Sequence, residues 1–248
     1  MTRGRLLLRV RLAISFLTIV PVAIRDADES DVAASMAFFP LVGALMGLGF
    51  ALEDRALAFV FSRALRSAII VLSMVILSGA VHLDGLADIA DALGAGRDRE
   101  RALEILRDSR IGAFAAIALF FALALKVFAL ASAFGRLRMA MLIVAPILAR
   151  WVLVAVSYKL EYLRAHGAGS SMLGRFDDRN LAIASALTIL GTVFFHSRDV
   201  LIAYAVAIVA TIAMRAFYRR WLGGITGDLI GACGEIVEVL VMLSMAAR

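Results

Sequence analysis

Long uninterrupted apolar blocks, rather than apolar–polar alternation, dominate the chain. Val32–Leu52 runs 21 residues without a charge; as a helix that length matches a hydrocarbon core of roughly 30 Å. Further blocks run from about Leu65 to Val81, from Ile111 to Phe134 around Lys126, and over Met139–Tyr158 around Arg150. Leu181–Phe195 and Val200–Met214 hold 15 residues each, so they must borrow flanking residues or thin the bilayer locally. A last block covers Leu229–Ala247, with Glu235 and Glu238 near its start. The pattern predicts an all-α polytopic integral membrane protein of about seven transmembrane helices, a single membrane domain over residues 1–248. A shorter run, Leu12–Ile24, follows Arg3, Arg5, Arg9 and Arg11 with no small-residue cleavage site behind it. Thirteen residues reach only about 20 Å as helix, and the segment is read as interfacial or re-entrant.

Composition agrees. Apolar residues make up 62% of the 248 and charged ones 19%, against roughly 45–50% and 25% in soluble domains. A soluble chain of this size lacks the interior to hide so much apolar surface. The net charge of +6 would point to nucleic acid in a soluble chain. Here it reads as juxtamembrane arginines, with the lipid bilayer as the partner. One cysteine, Cys233, excludes an internal disulfide and a thiolate metal cluster.

With the N-terminus inside and the first run non-spanning, residues 1–31, 82–110, 159–180 and 215–228 fall on one side. They carry 17 Arg and Lys against 7 on the other, so the positive-inside rule puts them in the cytoplasm. The segments richest in paired acids and bases thus share one face.

The densest chemistry lies in 82–110, read as a cytoplasmic catalytic segment. Asp84, Asp88 and Asp91 are spaced to share one face of a helix, and their repulsion calls for a divalent cation or arginines. Oxygen ligands at this spacing suit Mg²⁺ held jointly with substrate phosphates. A solvated acidic turn leaving the membrane is the plainer alternative. Asp108, Ser109, Arg110 and Gly112 stand before the next apolar block, where a helix N-terminus offers N–H groups to a phosphate, Arg110 adds a bidentate contact, and Asp108 can cap the helix. Arg150 sits inside an apolar block and needs a partner or a function; Lys126 reads as interfacial or snorkelling. Residues 215–238 form a glycine-rich loop and helix entrance. Gly223, Gly224, Gly227 and Gly231 there can form an anion nest or pack closely, and Asp228 and Glu235 are two helical turns apart. Phe39–Gly43 predicts a kink with a close helix contact.

Taken in order, FPLVG (Phe39–Gly43), HLDGLADIADALG (His82–Gly94), DSRIG (Asp108–Gly112) and LGGITGDLIGA (Leu222–Ala232) with Glu235 resemble the adenosylcobinamide-GDP ribazoletransferase family, also called cobalamin-5′-phosphate synthase. The resemblance runs almost end to end. It implies a Mg²⁺-dependent enzyme of the bacterial cytoplasmic membrane with its active site facing the cytoplasm. Such an enzyme joins adenosylcobinamide-GDP to α-ribazole or its 5′-phosphate, releases GMP, and forms adenosylcobalamin or its 5′-phosphate. It also implies roles: Asp84, Asp88 and Asp91 for metal and phosphate, one of them taking the hydroxyl proton, with His82 a further catalytic candidate. Asp228 and Glu235 would serve a second metal or the ribose. Arg110, Ser109, Asp108, Arg150, Gly224 and Thr226 would bind substrate. A homo-oligomer, or association with other enzymes of the same pathway, is compatible with it. A CDP-alcohol-type headgroup transferase shares only the Asp84-Gly85…Asp88 fragment. A cation or solute transporter would also use membrane carboxylates.

Overall fold

A computed structural model describes residues 3–94, 96, 98–106, 108, 110–163 and 177–247. The helices are α1 (Arg3–Leu17), α2 (Glu29–Ser35), α3 (Phe39–Leu57), α4 (Arg63–Ser78), α5 (Val81–Gly94), α6 (Arg99–Ile105), α7 (Ala113–Ser132), α8 (Gly135–Ser157), α9 (Asp178–Thr192), α10 (Arg198–Trp221) and α11 (Gly227–Ala246). A 3-10 turn over Met36–Phe38 joins α2 to α3. Among the described residues the only strand-like pairing is one parallel bridge, Tyr162 to Ile225.

The all-α polytopic class is what the chain has. Five helical stretches are long and apolar enough to cross a membrane: 29–57, α7, α8, α10 and α11. A sixth results if α4 and α5, bent by 92° at their junction, count as one broken span. The bend has a local cause: Gly79 ends α4 in the left-handed region at φ 62° and Ala80 follows at φ 57°, a reversal that glycine makes without penalty. α9, expected as a seventh span, is a 15-residue helix and falls short by length. Its ends nevertheless reach opposite ends of the bundle. Asn180 Nδ2 donates to the Ala33 carbonyl at one end, and Arg136 from the start of α8 donates to the Phe194 carbonyl at the other. α10 is longer than its apolar block, at 24 residues, because Arg215, Arg219 and Arg220 continue the helix past the hydrophobic stretch. α1 has 15 residues and is not among the helices long enough to span.

α8 is the hub. Seventy-eight per cent of its apolar window is buried, against 22% for α10, so α8 is enclosed by protein while α10 looks outward. α3 lies hard against α8: a Cβ on Gly43 would meet the Pro146 carbonyl, and one on Gly47 the Leu142 carbonyl. The expected close contact at Phe39–Gly43 is therefore backbone against backbone, and Pro40 sits in the first turn of α3 rather than inside it.

The charged segments sort to two ends. At one, Arg9 donates to Asp31, Arg5 bonds both Asp31 and Asp28, and Tyr158 donates to Asp178. There also the Ile225 N–H donates to the Glu161 carbonyl, and Arg99 Nε to the Leu222 carbonyl at 2.9 Å. With the Asn180–Ala33 contact, these bonds tie the four arginine-rich segments of the sequence into one face. At the other end, buried Arg138 holds both oxygens of Asp54, at 2.6 and 2.9 Å, together with Ser67 and the Leu130 carbonyl.

Candidate active site

α5 forms as the aspartate spacing predicts, one face carrying Asp84, Asp88 and Asp91 and the other buried through Leu83, Leu86 and Ile89. Glycine sets its distance from α11. A Cβ on Gly85 would run into the backbone of Asp228, so α5 crosses the first turn of α11 in direct backbone contact. Gly231, one turn on, meets buried His82: its added Cβ would stand 3.3 Å from the His82 Cα. Two glycines thus bring the aspartate helix to Asp228, a neighbour whose closeness the seven-residue interval to Glu235 does not reveal.

The three aspartates have different surroundings. Asp84 is exposed, and Asp88 and Asp91 are half-buried. Asp91 Oδ2 accepts the Gly112 N–H at 2.6 Å and Oδ1 the Ala115 N–H at 2.9 Å. It caps the N-terminus of α7, whose unpaired amides and positive dipole end favour a carboxylate. The amides expected to meet a phosphate therefore meet Asp91. Asp108, the expected cap, instead binds Arg110, accepting from its backbone N–H and its guanidinium. That guanidinium holds the Asp108 carboxyl below the usual carboxylate range, and the carboxylate raises Arg110 in turn. The Arg110 side chain remains 88% exposed, open to solvent for another anion. Ser109 lies outside the described residues.

In the loop before α11, Thr226 is buried and its hydroxyl accepts the Leu229 N–H, capping the helix. Gly224 is buried where a Cβ would strike the Glu161 carbonyl. Both have structural work in the loop, and only Gly223 among its glycines has a positive φ.

Glu235 and Arg150 lie deeper, in a buried ion-pair network that the sequence reading did not assemble. Lys126 Nζ is 2.5 Å from Glu235 and 2.6 Å from Glu238, and Arg150 Nη1 donates to Glu238 at 2.7 Å. Lys126 is no interfacial or snorkelling residue: it is 3% exposed and joins α7 to α11. Two acids one turn apart on an apolar helix call for buried cations, and Lys126 and Arg150, each deep in an apolar block, supply them. Among the described residues Arg150 Nε has no hydrogen-bond partner.

Also among the described residues, no three His, Cys, Asp or Glu side chains converge as a metal cage. The arrangement fits the other way of holding Mg²⁺, in which one or two carboxylates and the substrate's phosphates share the ion.

Fold and site together define a polytopic α-helical membrane protein whose aspartate-bearing helix meets a helix N-terminus at one end of the bundle. The family model for cobalamin-5-phosphate synthase matches residues 9–246. The adenosylcobinamide-GDP ribazoletransferase of Syntrophobacter fumaroxidans is 40% identical over 239 residues, covering 95% of this chain and 96% of the relative. That of Geotalea daltonii is 35% identical, covering 95% of each chain, and that of Citrobacter koseri 33%, covering 94% and 96%. The chain belongs to the cobalamin-5-phosphate synthase family. No solved structure gives a significant match.

Proposed function

We propose that the chain transfers the adenosylcobinamide phosphate of adenosylcobinamide-GDP to α-ribazole or α-ribazole 5′-phosphate, releasing GMP at the cytoplasmic face of the membrane. Family membership supports the reaction. The cytoplasmic orientation rests on the 17 to 7 distribution of basic residues. The observation that carries the site is the contact of Gly85 with the Asp228 backbone, which sets Asp84 and Asp88 beside the first turn of α11.

The chemistry is an in-line displacement. A ribose hydroxyl of the lower-ligand nucleoside attacks the β-phosphorus, the bond to the GMP oxygen breaks, and the hydroxyl proton passes to a carboxylate. Exposed Asp84 is our choice for the group nearest the diphosphate, with Asp88 one turn behind it and Asp228 across the helix contact. These three would hold Mg²⁺ with the substrate phosphates. When bound, the ion supplies charge neutralisation of the diphosphate and of the departing GMP. Asp91 shapes this face through the α7 cap. Arg110 offers a guanidinium to a phosphate oxygen in exchange for its exposed pair with Asp108.

The test is direct. The purified chain in liposomes receives adenosylcobinamide-GDP and α-ribazole 5′-phosphate, and GMP and joined corrinoid are followed by chromatography with Mg²⁺, with EDTA and in Asp84→Asn. Stoichiometric products, lost in both controls, are expected. Undiminished activity in Asp84→Asn would break the site assignment while leaving the reaction in place; no product from a folded chain would overturn the reaction.

A further inference from the structure

A groove of about 560 Å³ opens between α10 and the chain that follows α8, at the end of the bundle where the arginine-rich segments meet. One wall is a single stripe of α10, Ile212, Arg215 and Arg219; the other is the chain after α8, including Lys159 and Glu161, with Gly223 closing the end. Arg215 and Arg219 stand one turn apart, where like charges repel. Among the described residues no carboxylate lies within ion-pair distance of either, Glu161 included. Arg215 spends one nitrogen on the Ala155 and Val156 carbonyls at the end of α8, and Lys159 pairs with Asp178. Residues 164–176 contain no acidic side chain to neutralise the pair. The groove therefore has an excess of cations over the one acid that lines it.

Its surroundings name the ligand. α10 turns most of its apolar window outward, and exposed Ile208, Val209 and Ile212 lead along it to the arginines. An apolar track ending in unneutralised arginines at the end of a spanning helix matches one molecule: a phosphate headgroup with acyl chains attached. We propose that this groove binds an anionic phospholipid, its phosphate between Arg215 and Arg219 and a chain along Ile212 and Ile208. The bond would tie the outer helix to the loop before α11, since Gly223 belongs to both the groove and that loop. A guanidinium near the membrane surface contributes about fivefold in affinity for an anionic lipid.

Native mass spectrometry of the purified full chain, titrated with phosphatidylglycerol or phosphatidylcholine of equal chain length, tests this. Phosphatidylglycerol should be retained roughly 25-fold better, a factor of five for each arginine, and Arg219→Gln should lower that preference roughly fivefold. Arg219 makes none of the Arg215 contacts to α8, so this variant leaves those bonds in place; Arg215→Gln serves as the second, harsher test. Arg136→Gln, at the opposite end of the bundle, should keep the full preference. No preference in the parent chain, or an equal fall in Arg136→Gln and Arg219→Gln, would overturn the site. Displacement of the lipid by inorganic phosphate or glycerophosphoglycerol at matched concentration would overturn the lipid and assign a soluble phosphate instead.

Discussion

Two groups of carboxylates one helix contact apart have opposite surroundings. Glu235 and Glu238 are closed in among α7, α8 and α11, balanced charge for charge by Lys126 and Arg150. Asp84, on α5, is exposed, and Asp88 beside it half-buried. In sequence both groups are acids at the edge of apolar blocks, and both satisfy the rule that membrane charges signal function. The difference lies in the neighbours. A charge already neutralised by protein holds helices together, while an exposed one such as Asp84 is open to substrate.

The largest effect expected from this contrast is on stability. Glu238→Gln removes the acid shared by Lys126 and Arg150, leaving buried cations in excess, and should cost about 3–5 kcal/mol. A denaturant midpoint in detergent measures it. Lys126→Met with Glu235→Gln removes one charge of each sign and keeps the Arg150–Glu238 pair, so the double variant should lose less than the sum of its singles. Additive losses would mean that the pairs do not act as a network. Asp84→Asn should do the reverse. Transfer activity should fall by about 100-fold or more, with the unfolding midpoint moved by no more than about 0.5 kcal/mol, as for an exposed substitution.

Asp91 lies between these extremes and sharpens the comparison. It shares the face of Asp84, yet both its oxygens are engaged by α7 amides. Asp91→Ala should cost about 1 kcal/mol, as for a lost N-cap. Asp91→Asn, which keeps one acceptor oxygen, should recover part of that stability and most of the activity. An Asp91→Asn variant as inactive as Asp84→Asn, at parental stability, would move Asp91 into the reacting group.

How much of this could be read from the chain follows from what kind of information each feature needs. The apolar blocks gave the helices because hydrophobic length is local, and the i, i+4, i+7 spacing placed three aspartates on one face for the same reason. The partner of each charge is not local. Lys126 and Glu238 lie 112 residues apart, and only the packing of α7 on α11 joins them. Asp31, fully buried beneath Arg5 and Arg9, and Arg138, buried on Asp54, were likewise invisible as pairs. One signal was available: membrane acids must be balanced by membrane bases, and Lys126 and Arg150 were the only bases deep inside the blocks, Arg66 lying at the edge of its own. The α4–α5 bend depends on left-handed backbone at Gly79 and Ala80, and nothing in the sequence of an alanine marks such a conformation.

The smallest expected effect concerns Asp108 and Arg110, the pair that resembles the buried network in chemistry and differs from it in exposure. Arg110 holds the Asp108 carboxyl below its ordinary range, so any stabilisation is complete above the ordinary value and lost as pH falls through the lowered one. Because both groups are open to water and salt, that loss should leave the unfolding midpoint unchanged within error at physiological ionic strength. Arg110→Gln should raise the Asp108 titration toward the ordinary range, read by carboxyl-carbon NMR, and 0.5 M salt should shrink the difference. If Arg110 releases Asp108 to hold a substrate phosphate, the same variant should raise KM for adenosylcobinamide-GDP severalfold with kcat little changed, since the contact is made equally in the bound and reacting states. An unchanged KM beside a shifted Asp108 titration would leave Arg110 as a surface ion pair and confine phosphate recognition to the α5–α11 contact.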